Sequence, residues 1–368
     1  MNGRLHDRFV RLCEVPSPTG REREVADSVK AELRALGAEV AEDDAAGAAR
    51  AGAGNLLARI PGRGGGWVGF CAHVDTVPHE SRVEVVLDGG VYRSAGETIL
   101  GADDKSAVAV LLELAARRAE HPGETGIELL LTVAEEDGLR GAKAFEAGRL
   151  RAERGFVLDH ASPIGEVITA APTYHRLTAD FEGTEAHAGI NPEDGHSAIA
   201  AAAAAVGAMR LGRLDEETTA NVGVIDGGNA ANVVPGRCRV EAEARSIDPA
   251  RAAAVAGEMA QACGWGASEH GCDADVRLEE LFRGYRVPRD SASLALAEAG
   301  LARAGYTPRR VATGGGSDAN ALVAKGLDWV LLANGTRDNH TPQESVAAAN
   351  LDAMLAVCEA IAEETRRC

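Results

Sequence analysis

The sequence predicts an α/β protein with a mixed, largely parallel sheet flanked by helices and a smaller α+β domain inserted into it. Apolar strand patterns alternate with helical patterns towards both ends of the chain, as in units that build a parallel sheet. Between them lies a region of strands and Ala-rich helices without that alternation. The 368 residues also suffice for two domains. We expect a main domain over residues 1–172 and 284–368 and an inserted domain over residues 173–283.

Local patterns predict each element of the main domain in turn. Residues 7–36 read as two helices, because the turn at residues 16–20 contains two prolines and a glycine that interrupt a helix. Apolar runs predict strands, and leucines at helical spacing predict a long helix after residue 105. The predicted elements are strands 55–60 and 67–74, a hairpin around 88–90, helix 106–121, strands 127–133 and 156–158, helix 291–304, a strand at 311, helix 318–325, strand 329–333 and helix 345–365.

The inserted region has a different pattern. Strands are predicted over 174–181, 221–225 and 238–246, with helices over 197–210 and 249–263.

Composition narrows the possible partners and surroundings. The net charge of −18 disfavours nucleic acid and an anionic membrane as partners. No apolar run is typical of a signal peptide or a transmembrane helix. Seven cysteines are scattered without a C-x-x-C pair, which favours reduced thiols and a cytoplasmic location.

A His-x-Asp pair ends the strand over residues 67–74. Side chains alternate along a strand, so His73 and Asp75 are expected on the same side. A carboxylate beside an imidazole can hold the tautomer that a metal-binding histidine needs. The pair alone is weak evidence, since a histidine at a strand end is more often structural.

Four further polar clusters lie where element ends are expected, at the positions where ligands gather in open α/β sheets, and one of them immediately precedes the helix over 106–121. Considered alone, each has a simpler explanation, such as an N-cap or a solvated acidic loop. Together with His73 they supply two histidines and three carboxylates, too many for one tetrahedral zinc but suited to two ions that share a carboxylate. Nitrogen and oxygen ligands fit zinc, cobalt or manganese. The candidate ligands are His73, Asp103, Glu136, Asp159 and His340.

With these motifs the chain resembles a known family over nearly its whole length: the M20 metallopeptidases, and within them the peptidase T-like branch. The resemblance implies a zinc-peptidase-like catalytic domain with an inserted lid or dimerisation domain, and a homodimer. The motifs that carry it are His73-Val74-Asp75-Thr76-Val77-Pro78, Gly101-Ala102-Asp103-Asp104-Lys105, Glu135-Glu136, Glu185-Ala186-His187-Ala188-Gly189, Pro192-Glu193-Asp194-Gly195, Asn232-Val233-Val234-Pro235 and Gly314-Gly315-Gly316-Ser317-Asp318.

The resemblance assigns a role to each candidate in the main domain. One ion, most simply zinc, would be held by His73 and Asp159 and a second ion by Glu136 and His340, with Asp103 as the bridge. Asp75 would orient His73. Glu135 would be the general base that activates the water between the ions for attack on an amide carbonyl.

Four further residues would complete the site. By the same resemblance, His187 stabilises the oxyanion, in its own active site or in that of a dimer mate, and Asn232 assists. Arg245 would bind a substrate carboxylate with its planar fork. Ser317 could line the pocket or simply cap the following helix. Simpler structural roles are an exposed turn histidine for His187 and a surface strand arginine for Arg245.

The residues leave the substrate open. A small peptide and an N-acyl amino acid would use the same metal ligands, so a deacylase is the nearest alternative to a peptidase. A non-hydrolytic binding protein is disfavoured because Glu135 and all ligands are present. A nucleotide-binding protein is disfavoured because the glycine run at residues 314–316 lacks phosphate-loop spacing. Two departures from the family pattern, His160 and Ser106, lie beside the site motifs.

Overall fold

The computed structural model describes residues 3–365; Cys368 of the cysteine pattern lies outside this range. The helices are α1 (Gly3–Glu14), α2 (Arg23–Ala35), α3 (Ala46–Ala49), α4 (Ala102–Glu120), α5 (Arg140–Ala144), α6 (Ala198–Ala208), α7 (Pro249–Glu269), α8 (Ala292–Arg303), α9 (Asp318–Ala324) and α10 (Ala348–Glu364). The strands are β1 (Glu39–Glu42), β2 (Leu56–Ile60), β3 (Trp67–His73), β4 (Val85–Asp88), β5 (Val91–Ser94), β6 (Gly126–Thr132), β7 (Arg154–Val157), β8 (Glu166–Ala171), β9 (Thr173–Glu182), β10 (Ala186–His187), β11 (Gly212–Asp215), β12 (Thr218–Gly227), β13 (Val233–Val234), β14 (Arg237–Ser246), β15 (Asp273–Phe282), β16 (Tyr285–Arg286), β17 (Arg309–Ala312), β18 (Asp328–Leu332), β19 (Thr336–Arg337) and β20 (Ser345–Ala347).

The chain divides into two compact units. The larger unit runs to Thr169 and resumes over Val287–Ala312 and from Ser317 onwards. The smaller unit consists of Ala170–Arg286 together with Thr313–Gly316.

The larger unit is built on the mixed, largely parallel sheet that the sequence predicts. Its strand order is β1-β2-β6-β3-β7-β18-β8, with β17 also paired to β8. The central pairs β6–β3, β3–β7 and β7–β18 are parallel, and the flanking pairs are antiparallel. Every residue of β6 is buried, as expected for a strand covered on both faces. Since parallel strands end at one edge, the residues that follow β3, β6 and β7 meet there.

Helix α4 anchors one side of this unit. It packs against α1 and α10, and its apolar residues join the main hydrophobic core. Its first turn carries the Asp103 motif, so the packing of α4 places that motif at the site.

One helix begins later than the sequence predicts. The pattern over 345–365 predicts a helix throughout, but Ser345–Ala347 forms β20 and α10 begins at Ala348. The reason is tertiary: β20 pairs with β5 in a small antiparallel sheet of order β19-β20-β5-β4. This pairing fixes the chain that follows His340.

The smaller unit is an antiparallel sheet of order β11-β12-β14-β9-β15 with α6 and α7 packed on it. Strand β14 buries alternate residues, as a sheet with one covered face requires. Close packing of the two helices depends on Gly266, where a Cβ would lie 2.5 Å from the Ala201 carbonyl oxygen. A separate antiparallel pair, β10 and β13, carries His187.

Two observations concern the cellular environment that the sequence predicts. Within residues 3–365, no helix combines the length and apolar character needed to cross a membrane. The six described cysteines are all free and buried. The cytoplasmic location stays a prediction from the sequence.

Candidate active site

The five predicted ligands converge at the carboxyl edge of the parallel strands in the larger unit. His73 is the last residue of β3, and Asp159 and Glu136 follow β7 and β6. Asp103 lies in the first turn of α4, and His340 lies between β19 and β20. Five distant segments of the chain therefore contribute to one cluster.

Asp103 lies between the two histidines. Its Oδ1 is 3.5 Å from His73 Nε2, and its Oδ2 is 3.0 Å from His340 Nε2. On one side, His73 Nε2 is 3.9 Å from Asp159 Oδ1; on the other, His340 Nε2 is 3.2 Å from Glu136 Oε2. The cluster thus has two halves that share one carboxylate.

The side chains of this cluster fit divalent cations. His73, Asp103 and Glu136 each offer a ligand atom within 4.8 Å of the others, as do His73, Asp104 and Asp159. Among the described residues, Glu136 Oε1 is buried without a hydrogen-bond partner, which is costly for a carboxylate oxygen unless a cation or water faces it. Imidazole nitrogens and carboxylate oxygens are ligands that zinc, cobalt and manganese accept. The site is therefore suited to bind metal ions.

Buried negative charge dominates the electrostatics. Burial raises the pKa of Glu135 and Asp159 well above the usual range, and neighbouring carboxylates add to the effect. Burial acts in the same direction on Asp103, but hydrogen bonds to His340 and His73 outweigh it and lower its pKa. Hydrogen bonds to Asp103 and Glu136 raise the pKa of His340 to about 10. A bound cation would relieve this excess of negative charge.

Asp75 connects the two acidic segments of the site. Its carboxylate accepts the backbone N–H groups of Glu135 and Glu136, at 3.0 and 3.3 Å. His73 Nδ1 lies 3.0 Å from the Asp75 backbone carbonyl but 3.5 Å from its carboxylate. The expectation that the carboxylate orients His73 is thus refined: the main chain of Asp75 is nearer the ring, and the carboxylate holds the Glu135 segment.

Glu135 lies in a constrained turn directly after β6. Its side chain is buried, and the preceding Ala134 has φ of 50°, a left-handed conformation that costs energy for a residue with a Cβ. His340 shares this feature, with φ of 66°. Such conformations persist where surrounding contacts hold them, and here they direct two candidate side chains towards the cluster.

Sequence reasoning missed Asp104 and Thr19, which contact the predicted residues of this site. Asp104 accepts the backbone N–H of His73 at 3.3 Å and groups with His73 and Asp159. The sequence did contain a signal for Asp104, because this residue stands next to Asp103 in the same motif. Thr19 donates its hydroxyl to Asp75 Oδ2 at 2.7 Å. The sequence indicated only a turn there, since nothing local reveals a partner 56 positions away.

In the smaller unit, the pairing of β10 with β13 brings His187 close to the backbone of Asn232, which directly precedes β13. His187 pairs with Val233, and the Ala188 N–H donates to the Asn232 carbonyl at 2.9 Å. Both His187 and Asn232 are exposed.

Arg245 is already engaged within the smaller unit. Its guanidinium donates twice to Glu243, at 3.1 and 3.0 Å, and once to the Gly314 carbonyl at 3.1 Å. It also lies 4.3 Å from the centre of the Tyr174 ring, a cation–π contact. A substrate carboxylate would have to compete with Glu243 for the same fork.

Of the two roles predicted for Ser317, the structure shows the helix cap. It is fully buried in the larger unit and caps α9, accepting the Ala319 N–H at 3.3 Å. Asn320 completes the capping box by accepting the Ser317 N–H at 3.2 Å. The hydroxyl is thus occupied by the cap.

Comparison with known proteins assigns these features to a class. A model of the peptidase dimerisation domain matches residues 173–270, and a model of peptidase family M28 matches residues 55–165. The structure of aminopeptidase PepT from Bacillus cereus is 37% identical, with a TM-score of 0.87 and coverage of 99% of this chain and 98% of that one. A tripeptidase structure from Staphylococcus aureus is 34% identical, with a TM-score of 0.93 and coverage of 100% and 99%.

Two curated relatives extend the comparison. The uncharacterised protein YqjE of Bacillus subtilis is 36% identical over 99% of both chains. Acetylornithine deacetylase of Myxococcus xanthus is 30% identical over 83% of this chain and 82% of its own.

The sheet, the cluster of histidines and carboxylates and these matches define a metal-dependent hydrolase. The chain belongs to the M20 family of metallopeptidases, on the peptidase T-like branch, as the motifs indicate.

Proposed function

We propose that the protein hydrolyses an amide bond in short peptides, as a tripeptidase, dipeptidase or carboxypeptidase-like enzyme. The observation that carries this proposal is the likeness, over nearly the full length of both chains, to an aminopeptidase and a tripeptidase. The deacetylase relative supports the alternative substrate class, N-acyl amino acids, at lower identity and coverage. Short peptides are therefore the proposed substrate class.

The proposed metal ligands form the two halves described above. His73 and Asp159 would hold one ion, Glu136 and His340 the other, and Asp103 both; the distances of 3.5 and 3.0 Å from Asp103 to the two histidines support this sharing. Zinc is the proposed metal, with cobalt or manganese as substitutes. When bound, the ions would polarise the amide carbonyl and lower the pKa of an attacking water.

Glu135 is the proposed general base and acid. Its carboxylate would take a proton from the attacking water and return it to the leaving amine. The two hydrogen bonds that Asp75 accepts from the backbone of residues 135 and 136 hold this segment in place. Asp75 thus supports catalysis by positioning Glu135.

Residues of the smaller unit are proposed to act on the substrate. His187 would donate a hydrogen bond to the developing oxyanion, with assistance from Asn232. Arg245 would bind a substrate carboxylate in place of the Glu243 carboxylate that it contacts in this structure. Ser317 is the least supported candidate, because its hydroxyl already caps α9.

A hydrolysis screen tests the substrate class. The metal-free protein is loaded with zinc, cobalt or manganese and offered tripeptides, dipeptides and N-acyl amino acids of matched side chains. We expect amine release from peptides to exceed that from N-acyl amino acids by at least about tenfold in kcat/KM. Preferential release from N-acyl amino acids would replace the peptidase proposal with the deacylase.

We also propose a homodimer. The match to a dimerisation domain supports it, as do exposed apolar residues of the smaller unit: Ile190, Val224 and Ile225 are 75, 44 and 51% exposed. Sedimentation should give twice the chain mass of 38.1 kDa. A monomer at micromolar concentration would contradict it.

Mixing two inactive variants tests where His187 acts. If His187 serves the partner's site, a mixed dimer of Glu135→Ala and His187→Ala subunits contains one complete site, and activity returns. If it serves its own site, no mixed dimer has a complete site and activity stays absent. Each variant alone is the control.

A further inference from the structure

Glu344 is a buried carboxylate that the proposed chemistry does not use. It stands four residues after His340, and it is 1% exposed. Its Oε2 accepts the N–H groups of Leu100 and Gly101, at 2.9 and 2.8 Å, and its Oε1 accepts the N–H of Asp103 at 2.8 Å. All three donors are main-chain groups, and all lie in the segment that carries Asp103.

That segment needs an outside acceptor. The first N–H groups of a helix have no partner within the helix, and the start of α4 departs from helical geometry at Asp103 and Asp104, with ψ of 106° and 27°. Gly101 precedes them in the left-handed region, with φ of 73°. Because a glycine at this position has no side chain to serve as a cap, Glu344 satisfies these donors from 241 to 244 residues away.

Glu344 is also tied to the other half of the site. Only three residues separate it from His340, whose left-handed backbone makes its direction sensitive to the following chain. Strand β20 begins immediately after Glu344 and fixes that chain against β5. One side chain thus joins the segment of Asp103 to the segment of His340, the two residues whose side chains meet at 3.0 Å.

We propose that Glu344 is a positioning residue that sets the separation of Asp103 and His340 and thereby the affinity of the metal site they share with Glu136. This inference rests on the proposed metal ligation. A purely structural role would lower stability and affect both metal sites alike. A positioning role would weaken mainly the site that includes His340, because the packing of α4 on α1 and α10 still holds Asp103 whereas the segment of His340 loses its link to it.

The chain offers a matched control in Glu128. It is also fully buried in the larger unit and accepts two backbone N–H groups, from Arg151 at 2.7 Å and Ala152 at 2.6 Å. It lies in β6, so Glu128→Gln should affect stability without joining two ligand segments. Gln343→Ala, an exposed neighbour, controls for substitution in the loop itself.

The experiment is a titration of the metal-free full-length protein with Co²⁺, followed by calorimetry and by the absorbance of the bound ion. For Glu344→Gln we expect one of two binding steps to weaken about 10–100-fold, the range seen when a group that orients a ligand is removed. The other step should change less than about threefold, and both steps should be preserved in Glu128→Gln and Gln343→Ala. In a His340→Ala background, which keeps only the other site, Glu344→Gln should have little further effect.

Thermal unfolding of the same variants separates positioning from stability. If Glu344→Gln weakens both steps equally, or neither, while it lowers the melting temperature as Glu128→Gln does, the positioning role is wrong and Glu344 is only a helix cap. If the unsubstituted protein shows no two-step binding, the proposed ligation fails first and this inference falls with it.

Discussion

The two units differ in how they hold their chemical side chains, apart from His340, whose side chain is 50% exposed in the larger unit. In the larger unit, His73, Asp75 and Glu135 are 1, 0 and 8% exposed, and each is fixed by the chain around it. In the smaller unit, His187 and Asn232 are exposed, and the fork of Arg245 is occupied by Glu243.

This difference follows from the cost of burying charge. A buried carboxylate is tolerated only with hydrogen bonds, opposite charge or a cation, so the larger unit must hold its groups in one arrangement. An exposed polar side chain carries no such cost, so it need not be fixed before a ligand binds and orders it. We therefore expect substitutions in the larger unit to change metal content or kcat, and substitution of the substrate-binding Arg245 in the smaller unit to change KM.

The largest expected effect is that of Glu135→Gln. The amide keeps the shape of the side chain but cannot accept a proton, so kcat should fall by roughly 10²–10⁴-fold while two ions remain bound. Metal analysis and steady-state kinetics on the same sample measure both. The exposed Asp137→Asn, two residues on, is the control. Near-normal turnover in Glu135→Gln would show that another group is the base.

Asp103→Asn should have the next largest effect. Because Asp103 faces both histidines, its loss should weaken both ions, by about 10-fold or more each, and lower the bound metal below two per chain. Dialysis against a buffered metal followed by elemental analysis gives the content. Asp290→Asn, an exposed change in the same unit, should retain full loading. Full loading of Asp103→Asn would refute the shared ligand.

The elements that could be predicted from the sequence are those with a local pattern of residues. Helices α1 and α2, the hairpin of β4 and β5 and the parallel centre of the sheet all have local signals. Strand β15 was missed because it lies at the sheet edge and its alternation consists largely of charged residues.

The site was predictable to the same extent. Candidate ligands stand out because each lies near an end of a predicted element. Their supports do not: Thr19 meets Asp75 across 56 positions, and Glu344 meets Gly101 across 243. Those contacts depend on the packing of the whole unit, which no single stretch encodes.

Competition between protons and metal for His340 should give a smaller effect, which changes gradually with pH. The pKa of His340 is raised from its usual 6.5 to about 10 by Asp103 and Glu136, so the charged form stabilises the metal-free fold fully below pH 6.5. That contribution is lost as pH rises through 10. Because only neutral imidazole binds metal, affinity at this half of the site should rise about tenfold per pH unit across the same window.

Calorimetry in two buffers of different ionisation enthalpy measures this release. We expect about one proton per ion at the His340 half at about pH 7.5, unchanged in the control His79→Gln. Proton release that persists in His340→Ala would assign the effect to another group.

The smallest effect is expected in the smaller unit, at Arg245. Lysine keeps the charge but loses the planar fork, so Arg245→Lys should forfeit a charge-assisted hydrogen bond of about 1.5–3 kcal/mol, or roughly 10–100-fold in KM, with kcat within about threefold. Arg239→Lys is the matched control, since Arg239 lies on the same strand and pairs with Asp180 and Glu241. Glu243→Gln should lower KM, because it removes the carboxylate that competes for Arg245. Equal changes in the two arginine variants, or a KM that ignores Glu243, would mean that Arg245 serves only the packing of its own unit.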